Sequence, residues 1–341
     1  MKRKIIDSLL LNAYTIESAG LMHGKAGIAL TLFEVGRYCK DETIENHAFN
    51  LLCEVLAYNG SGNDFATGRA GIAYVVHYLI KNRFLDADYM ELYGDSHTEI
   101  VNGIMSCEYK EQESARYTGD LLFISTLADY LHKEEYDKCL NTVTDNICRT
   151  LENFCSHTSL NIAPYFHEYA ASLLAVCNFA PVKAVYADKF VGLIKEIQDK
   201  LDEKDAICEY PSYPVQVHIY GMLRDKKDIQ EDNDKILGMC MRNIVIPAFD
   251  FRKKTNLIFS LYKLYALNHA LDYREMANSL FDTLTDEDSI AFEEKIYNNI
   301  FRMPAFSIGI REGISRLALL FIYRDQLGQE NFPEHISWLF H

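Results

Sequence analysis

The chain has 341 residues, 49% of them hydrophobic and 12% aromatic, enough apolar material for a large packed core and too much for a disordered chain. Its net charge of −15 is the opposite of the basic face that nucleic-acid binding needs, so no nucleic-acid partner is expected. No uninterrupted apolar run approaches the ~20 residues of a membrane span. The nine cysteines are scattered without a Cys-x-x-Cys pair, a pattern of reduced thiols that places the expected location in the cytoplasm.

Residues 1–11 open with Lys2, Arg3 and Lys4 and continue into an apolar run that Asp7 and Ser8 interrupt. An amphipathic first helix is expected there rather than a signal peptide. A Gly-x-x-Gly turn at Gly24-Lys25-Ala26-Gly27 then runs into Ile28, Ala29, Leu30, Leu32, Phe33 and Val35. A helix with so little polar face is a buried one. The next segment, Asp41 to Leu56, is amphipathic, with Ile44, Ala48, Leu51, Leu52 and Val55 on one face and Glu42, Glu45, Asn46 and Glu54 on the other. An apolar inner helix followed by an amphipathic outer one is thus the first unit.

The plan recurs. Gly68-Arg69-Ala70-Gly71-Ile72-Ala73-Tyr74 starts a second inner helix that ends near Asn82. Tyr117 to Ile124 keeps one glycine, Gly119, at the third start, and Tyr165 to Leu174 keeps none, with Glu168 and Ala171 in the glycine places. Gly309 to Leu319 restores what reads as the second glycine, Gly313, with Ile310 in the place of the first. The successive starts are 44, 51 and 49 residues apart, and the remaining 142 residues to Ile310 hold three further steps of roughly 47. Weak inner helices are expected near residues 214–218 and 259–264. Seven helix pairs fill the chain, with no β-hairpin signal. In an open solenoid the first layer would be amphipathic. Because it is apolar all round, the expected fold is all-α, a seven-unit α/α toroid forming a single domain over residues 1–341.

The pattern Gly-Leu-x-His-Gly-x-x-Gly-Ile-Ala-Leu at 20–30, its echo at Gly68, Gly71, Ile72 and Ala73, and the count of seven resemble the lanthionine synthetase C-like (lanthionine cyclase) family. The similarity is strongest over residues 18–90 and recognisable at 306–325; between them it rests on spacing. The resemblance implies a seven-fold α/α toroid. In the bacterial cyclases it also implies zinc-assisted joining of Cys thiols to dehydrated Ser or Thr of a precursor peptide. The family's metal ligands are a Cys in the fifth repeat and an adjacent Cys-His pair before the sixth glycine motif. This sequence has no Cys-His dipeptide. Cys208 lacks the glycine that follows a ligand Cys, and Cys240 is followed by Met241 and Arg242 and falls before the sixth motif. A three-ligand zinc site is not assembled from these residues, and no metal or other cofactor is expected. His167 matches the family's active-site histidine without its flanking glycines, and Ala115 and Arg116 stand where a catalytic Asp would lie.

The glycines let inner helices begin tightly and approach their neighbours, and exposed N–H groups at such starts could bind an anion. Lys25, Arg69 and Arg311 are more informative. A cation in a helix's first turn opposes the macrodipole at a cost of about 0.3–1 kcal/mol. In a closed ring, units seven, one and two are neighbours, so the three charges would converge on one sector. Asp64, Asp120, Glu168 and Glu312 are the candidate partners, either as internal salt bridges or beside a bound anion such as a peptide carboxylate or phosphate. His23 is a packing, capping or binding residue, and His167 a candidate catalytic base, although adjacent His167 and Glu168 would not face each other on a helix.

The function these features suggest is a lanthionine-cyclase-like protein without zinc that binds or helps to modify a peptide, with a modifying enzyme as a possible partner. Two alternatives are an enzyme on the same toroid using rim carboxylates such as Asp120 and Glu168, for instance on glycosides, and a zinc cyclase with displaced ligands.

Overall fold

The computed structural model describes residues 3–58, 60, 62–110, 113–156, 257–258, 261–262, 265, 271–285, 309–310, 313–324 and 326. Among these residues the only regular structure is helical, and no strand occurs. The chain divides by its packing into two units, one of Met1–Gly103 with Glu275–Leu339 and one of Ile104–Arg274 with the last two residues.

In the first unit, α1 (Arg3–Ala13), α2 (Lys25–Cys39), α3 (Glu42–Leu56), α4 (Arg69–Lys81) and α5 (Tyr89–Met105, which ends just past the boundary) follow one another. They are joined by α8 (Leu271–Thr285, all but its first turn) and α9 (Ile314–Tyr323). α2 is the centre. It packs against α1, α3, α4 and α9, and every residue from Ala26 to Gly36 is buried. That is why its sequence carries no polar stripe: a helix surrounded on all sides has no face to give to water.

α3 buries the five apolar residues of its expected face, Ile44, Ala48, Leu51, Leu52 and Val55, and each large one contributes about 1.5–3 kcal/mol. The α2–α3 joint is two residues long. Lys40 adopts a left-handed conformation (φ 53°), and its N–H bonds the Arg37 carbonyl at 3.3 Å while that of Asp41 bonds Gly36 at 3.0 Å. The Asp41 carboxylate then caps α3 by accepting from the Thr43 N–H at 2.9 Å.

The glycine motif is a repeated joint at atomic detail. Gly24 and Gly68 are the N-caps of α2 and α4, both extended. In the first copy the Lys25 N–H bonds the Ser18 carbonyl at 2.8 Å; in the second the Arg69 N–H bonds the Gly62 carbonyl at 2.8 Å, the same reach back along the chain. A Cβ on Gly27 would stand 2.0 Å from the Leu21 carbonyl oxygen, and one on Gly71 would stand 2.2 Å from that of Phe65. No side chain fits either place.

α9 corrects the register read at its start. Gly313, not Ile310, is its N-cap, with the backbone of Gly68 (φ −107°, ψ −162° against −107°, −165°). Gly313 therefore matches the first glycine of the motif and Gly309 matches Gly20. Ile314 then occupies the place of Lys25 and Arg69, so Arg311 is not their equivalent. Arg316, buried, stands where α2 has Gly27. Two glycines four residues apart fit either reading of the sequence; the capping conformation decides between them.

The second unit holds α6 (Ser114–Thr126), a single 3-10 turn at Ala128–Tyr130 and the long α7 (Lys133–Ser156), which packs on α6 as the next helix pair. Here too the expected start is corrected. α6 begins after Glu113, so Gly119 lies inside the helix rather than at its cap. Residues 257, 258, 261, 262 and 265 are helical, with Leu257, Ile258, Leu261 and Tyr262 buried, where a sixth inner helix was expected. The fourth and fifth inner starts, at 165–174 and 214–218, lie outside the described residues.

Candidate functional site

Lys25 and Arg69 are the first residues of α2 and α4, and neither cation is left to bulk solvent. Lys25 Nζ pairs with the Glu54 carboxylate of α3. Arg69 pairs with Glu99 of α5 at 2.6 Å and donates through Nε to Asn63 Oδ1 at 2.9 Å. Each cation is thus neutralised from the amphipathic helix that follows it. This corrects the expected partners. Asp64 spends its carboxylate on its own loop, accepting from the Thr67 N–H at 2.6 Å and from the Thr67 hydroxyl at 2.9 Å. The acids that matter come from α3 and α5, whose ends return to the starts of α2 and α4. A linear reading of the motif looks only beside the helix start and misses them.

The N–H groups at these starts are also occupied. Those of Lys25 and Ala26 bond the Ser18 and Ala19 carbonyls at 2.8 and 3.2 Å, and that of Arg69 bonds Gly62. The loop before each helix folds back onto it, so these amides are not open to an anion. Neighbouring starts are tied together by the Met22 N–H on the Ala66 carbonyl at 2.8 Å and by Gly20, whose missing side chain admits the Thr67 backbone. His23 is half-buried directly before the Gly24 cap.

Asp120 lies in the second turn of α6, 3% exposed, with Arg116 Nε 3.7 Å from its carboxylate. Glu113 pairs with both Arg116 and Lys110 at 3.0 Å, and the bond from Lys110 holds its carboxyl below the ordinary range. Asp120 is therefore a buried member of a charged ladder on one helix face and not a carboxylate at a helix start. His167, Glu168, Arg311, Glu312, Cys208 and Cys240 lie outside the described residues. Among the described residues no three His, Cys, Asp or Glu side chains gather as a metal ion would need.

No protein-family model matches the sequence, and no curated protein does.

One polar cluster went unread in the sequence. Glu34, in the apolar run of α2, is 3% exposed. The Tyr78 hydroxyl of α4 donates to its Oε1, and the Tyr323 hydroxyl of α9 lies 3.5 Å from that of Tyr78. Burial pushes the Glu34 carboxyl above the ordinary carboxylate range, against the lowering pull of Tyr78, Tyr323 and Arg37. Burial likewise raises both phenols, and the neighbouring Glu34 adds to it. The signal was present: a lone acid inside an otherwise apolar helix has to be partnered. On the α4–α5 side, Tyr93 donates to the Arg69 carbonyl at 3.2 Å and burial pushes its phenol up to about 12, while Tyr89 meets His97 Nδ1 at 3.0 Å.

Proposed function

We propose that this chain is a lanthionine-cyclase-like protein that works without the family's zinc site and binds, or helps to modify, a peptide. The observation that carries the reading is the repeated glycine joint, with the same reach-back hydrogen bonds at Gly24 and Gly68 and the same capping conformation at Gly313. A second support is the packing of α9 on α2 and of α2 on α4, the neighbour relation that a ring of helix pairs requires of its last, first and second members.

The rim cations suit an exchangeable peptide carboxylate. Glu54 and Glu99 keep 45% and 61% of their side chains exposed, whereas Lys25 and Arg69 keep only 18% and 21%. The acids can swing away while the cations stay. Exposed ion pairs of this kind hold by at most ~1 kcal/mol, so an incoming carboxylate competes on nearly even terms.

The test is fluorescence-anisotropy titration of the purified protein with a library of labelled peptides, each made as the free C-terminal acid and as the amide. The expected result is saturable binding of a subset, weakened by Lys25→Ala and Arg69→Ala and by salt. Absence of saturable binding across the library refutes the peptide role. Stoichiometric zinc in the purified protein, together with thioether formation on a dehydrated peptide, replaces it with a zinc cyclase.

A further inference from the structure

α3 buries one face against α1 and α2 and turns another to water. On the outer face Phe49, Cys53 and Leu56 follow one another at steps of four and three residues. They fall within about 60° of arc and along about 10 Å of helix. All three are exposed, Phe49 by 50% and Leu56 by 38%. A single exposed apolar residue is ordinary surface, but a line of them on a helix is the kind of ridge that packs into the groove of another helix. The five apolar residues that hold α3 in the fold lie on a different side, so the ridge is not needed for that packing.

The charge around the ridge is of one sign. Residues 41–68 and 84–103, which contain α3 and nearly all of α5, hold ten Asp or Glu and no Lys or Arg, a large part of the net −15 of the whole chain. The cations nearest in the chain, Lys40, Arg69 and Arg83, stand outside both helices. Glu42 lies on the line of the ridge, seven residues before Phe49 and exposed. On α5, Glu91 and Asp95 are exposed beside the exposed Met90 and Leu92. The two helices flank one pair of inner helices. Glu54 of α3 reaches the start of α2 and Glu99 of α5 that of α4, and Asn63, in the loop after α3, has its Nδ2 3.6 Å from where a Cβ on Gly103 of α5 would stand.

We propose that the outer face of α3, extended by α5, docks a basic amphipathic helix of a partner protein. The partner's apolar side chains seat along Phe49, Cys53 and Leu56, and its Lys or Arg side chains meet Glu42, Glu91 and Asp95.

Charge selects this occupant over the others. A second copy of the chain would set the same acidic face against itself, and like charges across an interface oppose docking. An anionic lipid surface is repelled for the same reason. A basic helix is drawn to the face from a distance and then buries the ridge on arrival. The face takes the opposite charge from the rim at Lys25 and Arg69 and is independent of what binds there.

The experiment titrates the full chain with a labelled synthetic peptide that carries Leu along one helical face and Lys along the other. Fluorescence anisotropy reports binding, and the rate of maleimide labelling at Cys53 reports where the peptide sits. The expected result is saturable binding, with Cys53 labelling slowed several-fold, and no binding of the same peptide with Glu in place of Lys. Phe49→Ser, and separately Glu91→Lys with Asp95→Lys, should each weaken binding several-fold. Glu134→Lys on α7 and Lys25→Ala should not weaken it. Phe49 is exposed, so its variant should keep the circular dichroism and thermal melt of the parent. No saturable binding, binding that leaves the Cys53 rate unchanged, or equal binding by Phe49→Ser overturns the docking face. Self-association of the parent in sedimentation that Phe49→Ser abolishes assigns the ridge to a second copy and overturns the basic partner.

Discussion

Ile310 packs across Gly27: a Cβ on residue 27 would stand 3.1 Å from the Ile310 Cγ2. The relation repeats one helix on, where a Cβ on Gly71 would stand 2.7 Å from that of Leu21. Ile310 and Leu21 hold the same place before their helices, three residues ahead of the capping glycine. The residue before one helix therefore seats on the second glycine of the next, from α9 to α2 and from α2 to α4.

This arrangement makes the second glycines irreplaceable for steric reasons. Gly27→Ala and Gly71→Ala each drive a methyl into a backbone carbonyl that cannot move alone, and the expected loss is about 1–3 kcal/mol or more. Gly94→Ala is the opposing control. Gly94 lies inside α5, where among the described residues a Cβ would meet the Met90 side chain at ordinary contact distance, its methyl at 3.5 Å and its Cβ at 3.9 Å, so the same change should stabilise by about 0.4–1 kcal/mol. Urea unfolding midpoints of the three variants check both directions.

The pair of Lys25 and Glu54 should be modest and screened. Glu54→Gln leaves a cation at the start of α2 facing the helix dipole, with an expected loss of about 0.3–1 kcal/mol. Lys25→Gln should be close to neutral, because the lost pair is offset by relief of that opposition. A double-mutant cycle at low salt should give a coupling below about 1 kcal/mol that shrinks at 1 M salt.

Removing the Tyr78 hydroxyl strips Glu34 of its main donor. Tyr78→Phe should lower stability by about 1–3 kcal/mol at neutral pH. Because that bond favours the ionised carboxylate, its loss raises Glu34 further. Stability is then present in full below pH 4.5 and is lost over a wider span as the pH rises. Unfolding at pH 5 and pH 8 should show a larger difference between the two pH values in the variant than in the parent.

The α2–α3 joint carries one strained residue and one stabilising cap. Lys40→Gly should gain about 0.5–1 kcal/mol, since glycine adopts the left-handed conformation freely. Asp41→Ala should lose about 0.5–2 kcal/mol with the cap on Thr43. Thermal melts of the two single variants should move in opposite directions.

Thiol reactivity should follow burial. Cys39 and Cys53 are exposed, while Cys139 is buried with its thiol pushed up to about 11 by desolvation and by Glu135 and Asp120. Maleimide labelling of the native protein at pH 7.5, read by peptide mass mapping, should modify Cys39 and Cys53 before Cys139, which should react only on unfolding.

The sequence by itself determined the helical class, the α2–α3 pair with its buried and exposed faces, and the glycine-started helices at 25 and 69. These are local matters: the period of apolar residues sets which face is buried, and a glycine at a crowded start shows in the residue type alone. Tertiary structure decided the rest. Gly313 took the first glycine's place because capping is a backbone conformation that the letters do not record, and Gly119 fell inside α6 because the helix starts a turn and a half earlier. Lys25 and Arg69 found Glu54 and Glu99, 29 and 30 residues away, because a helix hairpin returns to its own beginning. Glu34 is an acid in an apolar run until α4 and α9 bring two hydroxyls to it; burial gives it a partner requirement, and only the packing of distant helices meets it.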